Sequence, residues 1–302
     1  MSAATVAPSE LDLPPVNDDG QANTTKKFLA STPLLLWVLI LIVLPNLLLL
    51  AYSSWKSDLG TVTRTFSLDN YLKLAQSEVF RTLLVRTVVI AVTCATLATL
   101  IAYTAALVIV QRFGKYKAVF ALLILVPLLV SYLMRVFAWK IILGDSGILS
   151  ALLETLGFGE SAAETFLYSR TTVILTLTYV CIPYVFLSAY TGLERIPNHL
   201  YEASADCGAG PWRTFVKVTW PLSRPAVAIG FAVAFVLAFG DYVTPAMVGG
   251  MDGTMLGSIV LQYFGAANNW PMGAAVGISI VATGLVFLGI ISLFTRVEAP
   301  IE

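Results

Sequence analysis

The chain has 302 residues, of which 58% are hydrophobic and 12% charged, and its formal net charge is zero. Soluble domains carry about 25% charged residues, so half that share points to a chain whose solvent is lipid. Zero net charge without a basic stripe leaves a nucleic-acid partner with no electrostatic support.

Residues 1–32 are rich in Pro, Asp and Asn, with Lys26 and Lys27 only near the end. They read as a disordered, retained tail and not as a signal peptide, because the apolar run that follows has full spanning length. A bilayer core about 30 Å thick needs about 20 apolar residues in a helix. Six stretches meet that length, near 33–52, 87–110, 118–138, 171–191, 225–247 and 274–294. The expected fold is therefore all-α and polytopic, a six-span domain over 33–302 with both termini on one side.

Between the first two spans, NYLKLAQSEVFRTLLVRT (70–87) has apolar residues at near-helical spacing, as does GILSALLETLGF (147–158) after the third. Both predict short amphipathic helices at the outer face, lying on the bilayer or docking a partner. The hairpin QRFGKYK (111–117) carries Arg112, Lys115 and Lys117 and no acid. By the bias of positive charge towards the cytoplasm, that hairpin and both termini are placed inside.

Several chemistries have no residues to perform them. There is no GxxxxGK[ST] phosphate loop, no GxSxG, and His199 is the only histidine. Cys94, Cys181 and Cys207 show no CxxC spacing, which favours packing roles over a metal or disulfide framework. No catalytic residue and no metal ligand is assigned.

The polar insert 192–224 separates the fourth and fifth spans. IPNHLYEASADC predicts a short helix with Pro197 in its first turn, Leu200, Ala203 and Cys207 on one face, and Glu202 and Asp206 on another. Gly208 and Gly210 stop it, and PWRTFVKVTW predicts a second short helix closed by Pro221. An insert this long is more than a chain reversal needs, and such loops are usually functional.

This stretch resembles the EAA loop of ATP-binding-cassette importer permeases of the type I, MetI-like family. Glu202, Ala203 and Ser204 take the three opening places, Gly208 the glycine, and Val218, Thr219, Trp220 and Pro221 the I-x-L-P ending at the family's spacing. Ser204, Val218 and Trp220 depart from the pattern without shifting its register. The resemblance implies that Glu202, Ala203, Ser204, Asp206 and Gly208 form the coupling surface for a separate cytoplasmic ATPase dimer, which binds ATP and Mg²⁺. It also implies a second permease subunit, an extracytoplasmic substrate-binding protein, and residence in a bacterial inner membrane.

SYLMRVFAWKIILGDSGILS (131–150), FGDYVTPAMVGG (239–250) and MLGSIVLQYFGAANNWPMGAA (255–275) resemble polyamine-type members, the spermidine/putrescine permeases of the first-subunit kind. Sister families for other organic cations, opines or amino-acid derivatives share much of this pattern. A secondary transporter or channel is the alternative of a different class; such carriers usually show paired repeats and more acids within their spans.

On a straight fifth span, Asp241 lies 16 residues beyond Pro225, about 24 Å along. Arg135 lies 17 residues beyond Ala118 on a parallel span, at similar depth. Ionisable residues in a membrane are candidates for function. Asp241 and Arg135 either neutralise each other, or Asp241 with Tyr242 faces a translocation path and meets an ammonium. Tyr132, Trp139 and Trp270 add aromatic surface there or sit as interface aromatics. Pro127, Pro183 and Pro245 bend three spans, as moving parts or as packing irregularities.

Overall fold

The computed structural model of the chain describes residues 33, 36–58, 61–144, 147, 148, 151, 155 and 168–295. The predicted tail 1–32 lies outside the described residues, as do eight of the twelve residues of the amphipathic segment 147–158. The chain divides into two units, Met1–Leu49 and Leu50–Glu302. The first contains a π-helical stretch, Leu39–Val43, which leads into α1 (Leu44–Ser53).

In the second unit a small hairpin, β1 (Lys56–Asp58) and β2 (Thr61–Thr63), precedes α2 (Asp69–Gln76). Lys56 Nζ stands 2.6 Å from Asp69 Oδ2 and holds that carboxyl below its usual range. Buried Asn70 donates from Nδ2 to the carbonyls of Ser53 and Trp55, which fixes the hairpin to α2. The predicted helix over 70–87 is broken at Ser77, whose Oγ accepts from the Phe80 N–H and caps α3 (Glu78–Arg112). No Gly or Pro interrupts 78–112, so the outer segment and the second span form one 35-residue helix.

Gly114, at φ +42°, turns the chain towards α4 (Lys117–Leu125). The third span is not straight. A 3-10 turn over Val126–Leu129 contains Pro127, Val130 and Ser131 are extended, and α5 (Tyr132–Leu143) leaves at 91° to its predecessor. Then come α6 (Arg170–Glu194), α7 (Asn198–Asp206), α8 (Pro211–Thr214), a π turn (Phe215–Thr219) and α9 (Trp220–Phe239). The unit ends with α10 (Val243–Val248), α11 (Leu256–Phe264) and α12 (Trp270–Thr295). Among the described residues five helices are long and apolar enough to cross a membrane, or six if the bent pair is one span.

Its core is the triangle of α3, α6 and α9. Ala91, Ala95, Ala98, Ala102 and Ala106 run along one face of α3 and are fully buried. Small residues let backbones approach where lipid supplies no hydrophobic drive between helices. The same logic holds between α6 and α9, where Ser188 Oγ donates to the Ala226 carbonyl at 2.5 Å. A side chain added at Gly192 would overlap Ala226 Cβ. Phe186 and Phe235 fill the centre. A second cluster, Leu74, Leu83, Leu256, Ala275 and Val276, joins α2, α3, α11 and α12 at the end away from the insert. There Thr87 Oγ1 donates to the Leu83 carbonyl and accepts from the Leu256 N–H, capping α11.

Candidate functional site: the polar insert and the junction of two broken spans

The insert is a folded knob. α7 starts after Pro197, which is extended (ψ 140°) and stands just outside the helix, not in its first turn. Its end is a Schellman motif: the Ala209 N–H donates to the Ser204 carbonyl and the Gly208 N–H to the Ala205 carbonyl. Gly208 takes the left-handed conformation this requires, at φ +71°, with nothing within 4 Å of where a Cβ would be. The face shared by Leu200, Ala203 and Cys207 is partly buried only at Leu200. Leu200 and Tyr201 pack on the core and Ser204 is half-buried, while Ala203 and Cys207 are exposed. The reason is Ser204, whose hydroxyl lies 2.8 Å from Thr214 Oγ1 and ties α7 to α8. Glu202, Ala203, Asp206 and Gly208 are then left on an open surface.

The second helix of the insert does not end at Pro221. α8, the π turn and α9 form one run, Pro211–Phe239, of 29 residues. The Trp220 N–H reaches back to the Phe215 carbonyl, five residues away. That wider turn makes room for a proline that has no N–H to give. Trp212, 74% exposed, stacks on Phe215. Phe215 and Trp220 both lean on Tyr103, whose hydroxyl lies 2.9 Å from Ser223 Oγ. The knob is thus attached by aromatic rings and a buried hydroxyl pair to α3. Nearby, Lys117 Nζ stands 2.7 Å from Glu194 Oε1, joining the start of the third span to the end of the fourth.

The fifth span is also broken. α9 ends at Phe239, Gly240–Tyr242 are non-helical, and α10 starts at Val243. Asp241 therefore lies in a gap and not on a continuous helix over 225–247. Its Oδ1 accepts from the Val243 N–H and its Oδ2 from the Thr244 N–H, both at 3.1 Å. The carboxylate is a helix cap as well as a charge.

The two breaks meet. Tyr132, the first residue of α5, has its hydroxyl 2.8 Å from Thr244 Oγ1. A cavity of about 410 Å³ at this junction is lined by Tyr132, Cys181, Tyr184, Asp241 and Tyr242, with Leu177 beside them. Arg135 is 6% exposed and Asp241 8% exposed, yet no ion pair joins them within 4.0 Å among the described residues. Arg135 instead lies over the Tyr132 ring, its guanidinium carbon 5.8 Å from the centroid.

Asp241, Tyr242, Tyr132 and Arg135 are thus brought to one place, and Trp139 and Trp270 are not. Trp139 lies edge-on to Tyr179 and lines a different, apolar cleft of about 430 Å³ with Leu97 and Ile101. Trp270 opens α12, donates from Nε1 to Asn268 Oδ1 and sits edge-on to Phe264. Sequence reasoning missed Thr244, Tyr184 and the cavity role of Cys181. For Thr244 a signal existed: Asp241 four residues before Pro245 is the pattern of a helix start, not of a helix interior.

Similarity to known proteins agrees with this architecture. The spermidine/putrescine transport system permease protein PotB of Haemophilus influenzae is 29% identical over 260 residues, 83% of this chain and 88% of that protein. PotB of Escherichia coli K12 is 28% identical over 255 residues, 83% and 92% of the two chains. The inner membrane ABC transporter permease protein YdcU of Escherichia coli is 34% identical over 191 residues, 58% and 60% of the two. Among solved structures, a bacterial alginate ABC transporter in complex with an alginate pentasaccharide-bound periplasmic protein contains a chain of the same fold. It superposes with a TM-score of 0.72 at 15% identity, over 92% of this chain and 98% of that one. Matching over residues 26–297, the chain belongs to the family of binding-protein-dependent transport system inner membrane components: it is a membrane-spanning permease subunit of an ABC importer.

Proposed function

We propose that this chain is one of two different permease subunits that together form a polyamine path, with spermidine and putrescine as substrates. The supporting observation is the substrate for which its PotB relatives are named, spermidine and putrescine; they match along 83% of the chain. The cavity at the junction suits such a substrate: Asp241 supplies one negative charge, and Tyr132, Tyr184 and Tyr242 line the same cavity with aromatic rings, a group that attracts ammonium.

In this reading a binding protein outside the membrane delivers the polyamine, and an ATPase dimer in the cytoplasm binds ATP and Mg²⁺. The chain itself catalyses nothing. The knob faces the cytoplasm, with both termini on that side, and Glu202, Ala203, Ser204, Asp206 and Gly208 engage the ATPase. ATPase closure pushes α7 and α8, and the run Pro211–Phe239 carries that push to the gap at Asp241.

The test is uptake of radiolabelled putrescine and spermidine by the complete importer in liposomes, for wild type and Asp241→Asn. Loss of uptake in Asp241→Asn is expected; uptake at the wild-type rate removes Asp241 from the path.

A further inference from the structure

Arg135 is the one feature of the junction that the polyamine reading leaves unexplained. Its Nε and Nη1 are buried and have no hydrogen-bond acceptor among the described residues. A guanidinium stays charged at any ordinary pH and offers five donors. Buried without acceptors it is a costly arrangement, and a charge at membrane depth marks function.

The carboxylate of the same junction is Asp241. A continuous set of contacts separates the two: Arg135 on the Tyr132 ring, Tyr132 Oη on Thr244 Oγ1, and the Thr244 N–H on Asp241 Oδ2. Cys181 lines the same cavity as Asp241. Among the described residues no other acid lies within the spans; Glu78 and Glu194 stand at helix ends. Both residues of the pair sit beside a break, Arg135 one turn after Val130–Ser131 and Asp241 inside Gly240–Tyr242. At a break, a few backbone torsions reposition a side chain without unpacking a helix.

We propose that Arg135 is a displacing cation. On the polyamine reading above, Asp241 holds a substrate ammonium in one state of the transport cycle. In the other state the Arg135 guanidinium takes the ammonium's place and so expels the substrate. Asp241 then has a cationic partner in both states, so neither leaves an uncompensated carboxylate within the membrane.

The experiment uses the complete importer in liposomes with radiolabelled putrescine. It reads uptake, ATP hydrolysis stimulated by the loaded binding protein, and the label kept by the complex after free substrate is removed. Arg135→Gln is expected to lower uptake at least tenfold and to raise the retained label. Arg135→Lys should keep a larger share of uptake, because an ammonium also competes for the carboxylate. Arg135→Met serves as a second neutral variant if Arg135→Gln is not produced as an intact complex. In Arg135→Gln/Asp241→Asn the loss should be smaller than the product of the single losses, as for residues that meet.

Uptake at the wild-type rate in both neutral variants overturns the proposal, and so do single losses that multiply. Retained label that falls in Arg135→Gln also overturns it, since Arg135 would then help to hold the substrate. Failure of the polyamine reading looks different: the wild-type importer would move neither putrescine nor spermidine. The double-variant comparison on stimulated ATP hydrolysis then still tests the pair, coupled losses supporting it and multiplying ones overturning it.

Discussion

Gly230 on α9 and Val185 on α6 touch where a side chain has no room: a Cβ on Gly230 would stand 3.1 Å from Val185 Cγ1 and 3.2 Å from Ser188 Cβ. Gly230→Leu is expected to force the two helices apart and cost about 1–3 kcal/mol, the usual penalty for overpacking. Gly289, on the exposed side of α12, has nothing within 4 Å of its Cβ position, and Gly289→Ala serves as the neutral control. Thermal unfolding in detergent checks both. A Gly230→Leu protein as stable as the control would show that α6 and α9 do not pack this closely.

At the knob, Gly208 combines open space with a left-handed backbone. Gly208→Asp is therefore strained by about 1–2 kcal/mol through its conformation alone, and it puts a new carboxylate on the surface next to Glu202 and Asp206. The expected result is a protein that still inserts but no longer couples ATP hydrolysis to uptake. Hydrolysis stimulated normally by loaded binding protein in this variant would sink the docking role given to Gly208.

Asp241 caps α10 and also carries charge, and two substitutions separate these roles. Asp241→Ala removes both and should lower stability by about 1 kcal/mol. Asp241→Asn keeps one of the two capping oxygens and should cost less stability than Asp241→Ala, while polyamine uptake falls in both variants. Equal uptake in Asp241→Asn and wild type would leave the capping role as the only one.

The hydroxyl bond between Tyr132 and Thr244 holds the two breaks together. Tyr132→Phe and Thr244→Val should each cost about 0.5–1.5 kcal/mol. The double variant should be little worse than either single one, since both remove the same contact. Costs that simply add in thermal unfolding would mean that the two side chains act separately.

Sequence alone set out the helices well where apolar length decides. The runs at 171–191 and 274–294 fall inside α6 and α12, and the short helix expected over 196–207 is found as Asn198–Asp206, stopped by Gly208 as expected but starting after Pro197. What hydropathy cannot see is a change of direction within an apolar run. Val130–Ser131 breaks a span inside an apolar run, and Gly240–Tyr242 breaks another where Gly240, Asp241 and the later Pro245 are the whole signal. Pro221 misled for a related reason. Proline reads as a stop, yet a π turn before it keeps the helix running. The depth reckoning for Asp241 and Arg135 assumed straight rods, and it put them together although both rods bend. Ser204, which looked like a mild departure from alanine, turned out to orient the knob through Thr214. Only the tertiary contact gives that residue its meaning.

The unbroken run from Pro211 to Phe239 has a mechanical consequence. At 1.5 Å per residue its 29 residues measure about 43 Å. Its tightest contact is at Ala226, which leaves no room for a side chain at Gly192 and accepts from Ser188 Oγ, and it divides that rod into arms of about 22 Å and about 20 Å. A rod pivoting there moves its two ends in opposite senses and by nearly equal amounts. A shift at Trp212 would reach the gap at Asp241 reversed and almost undiminished.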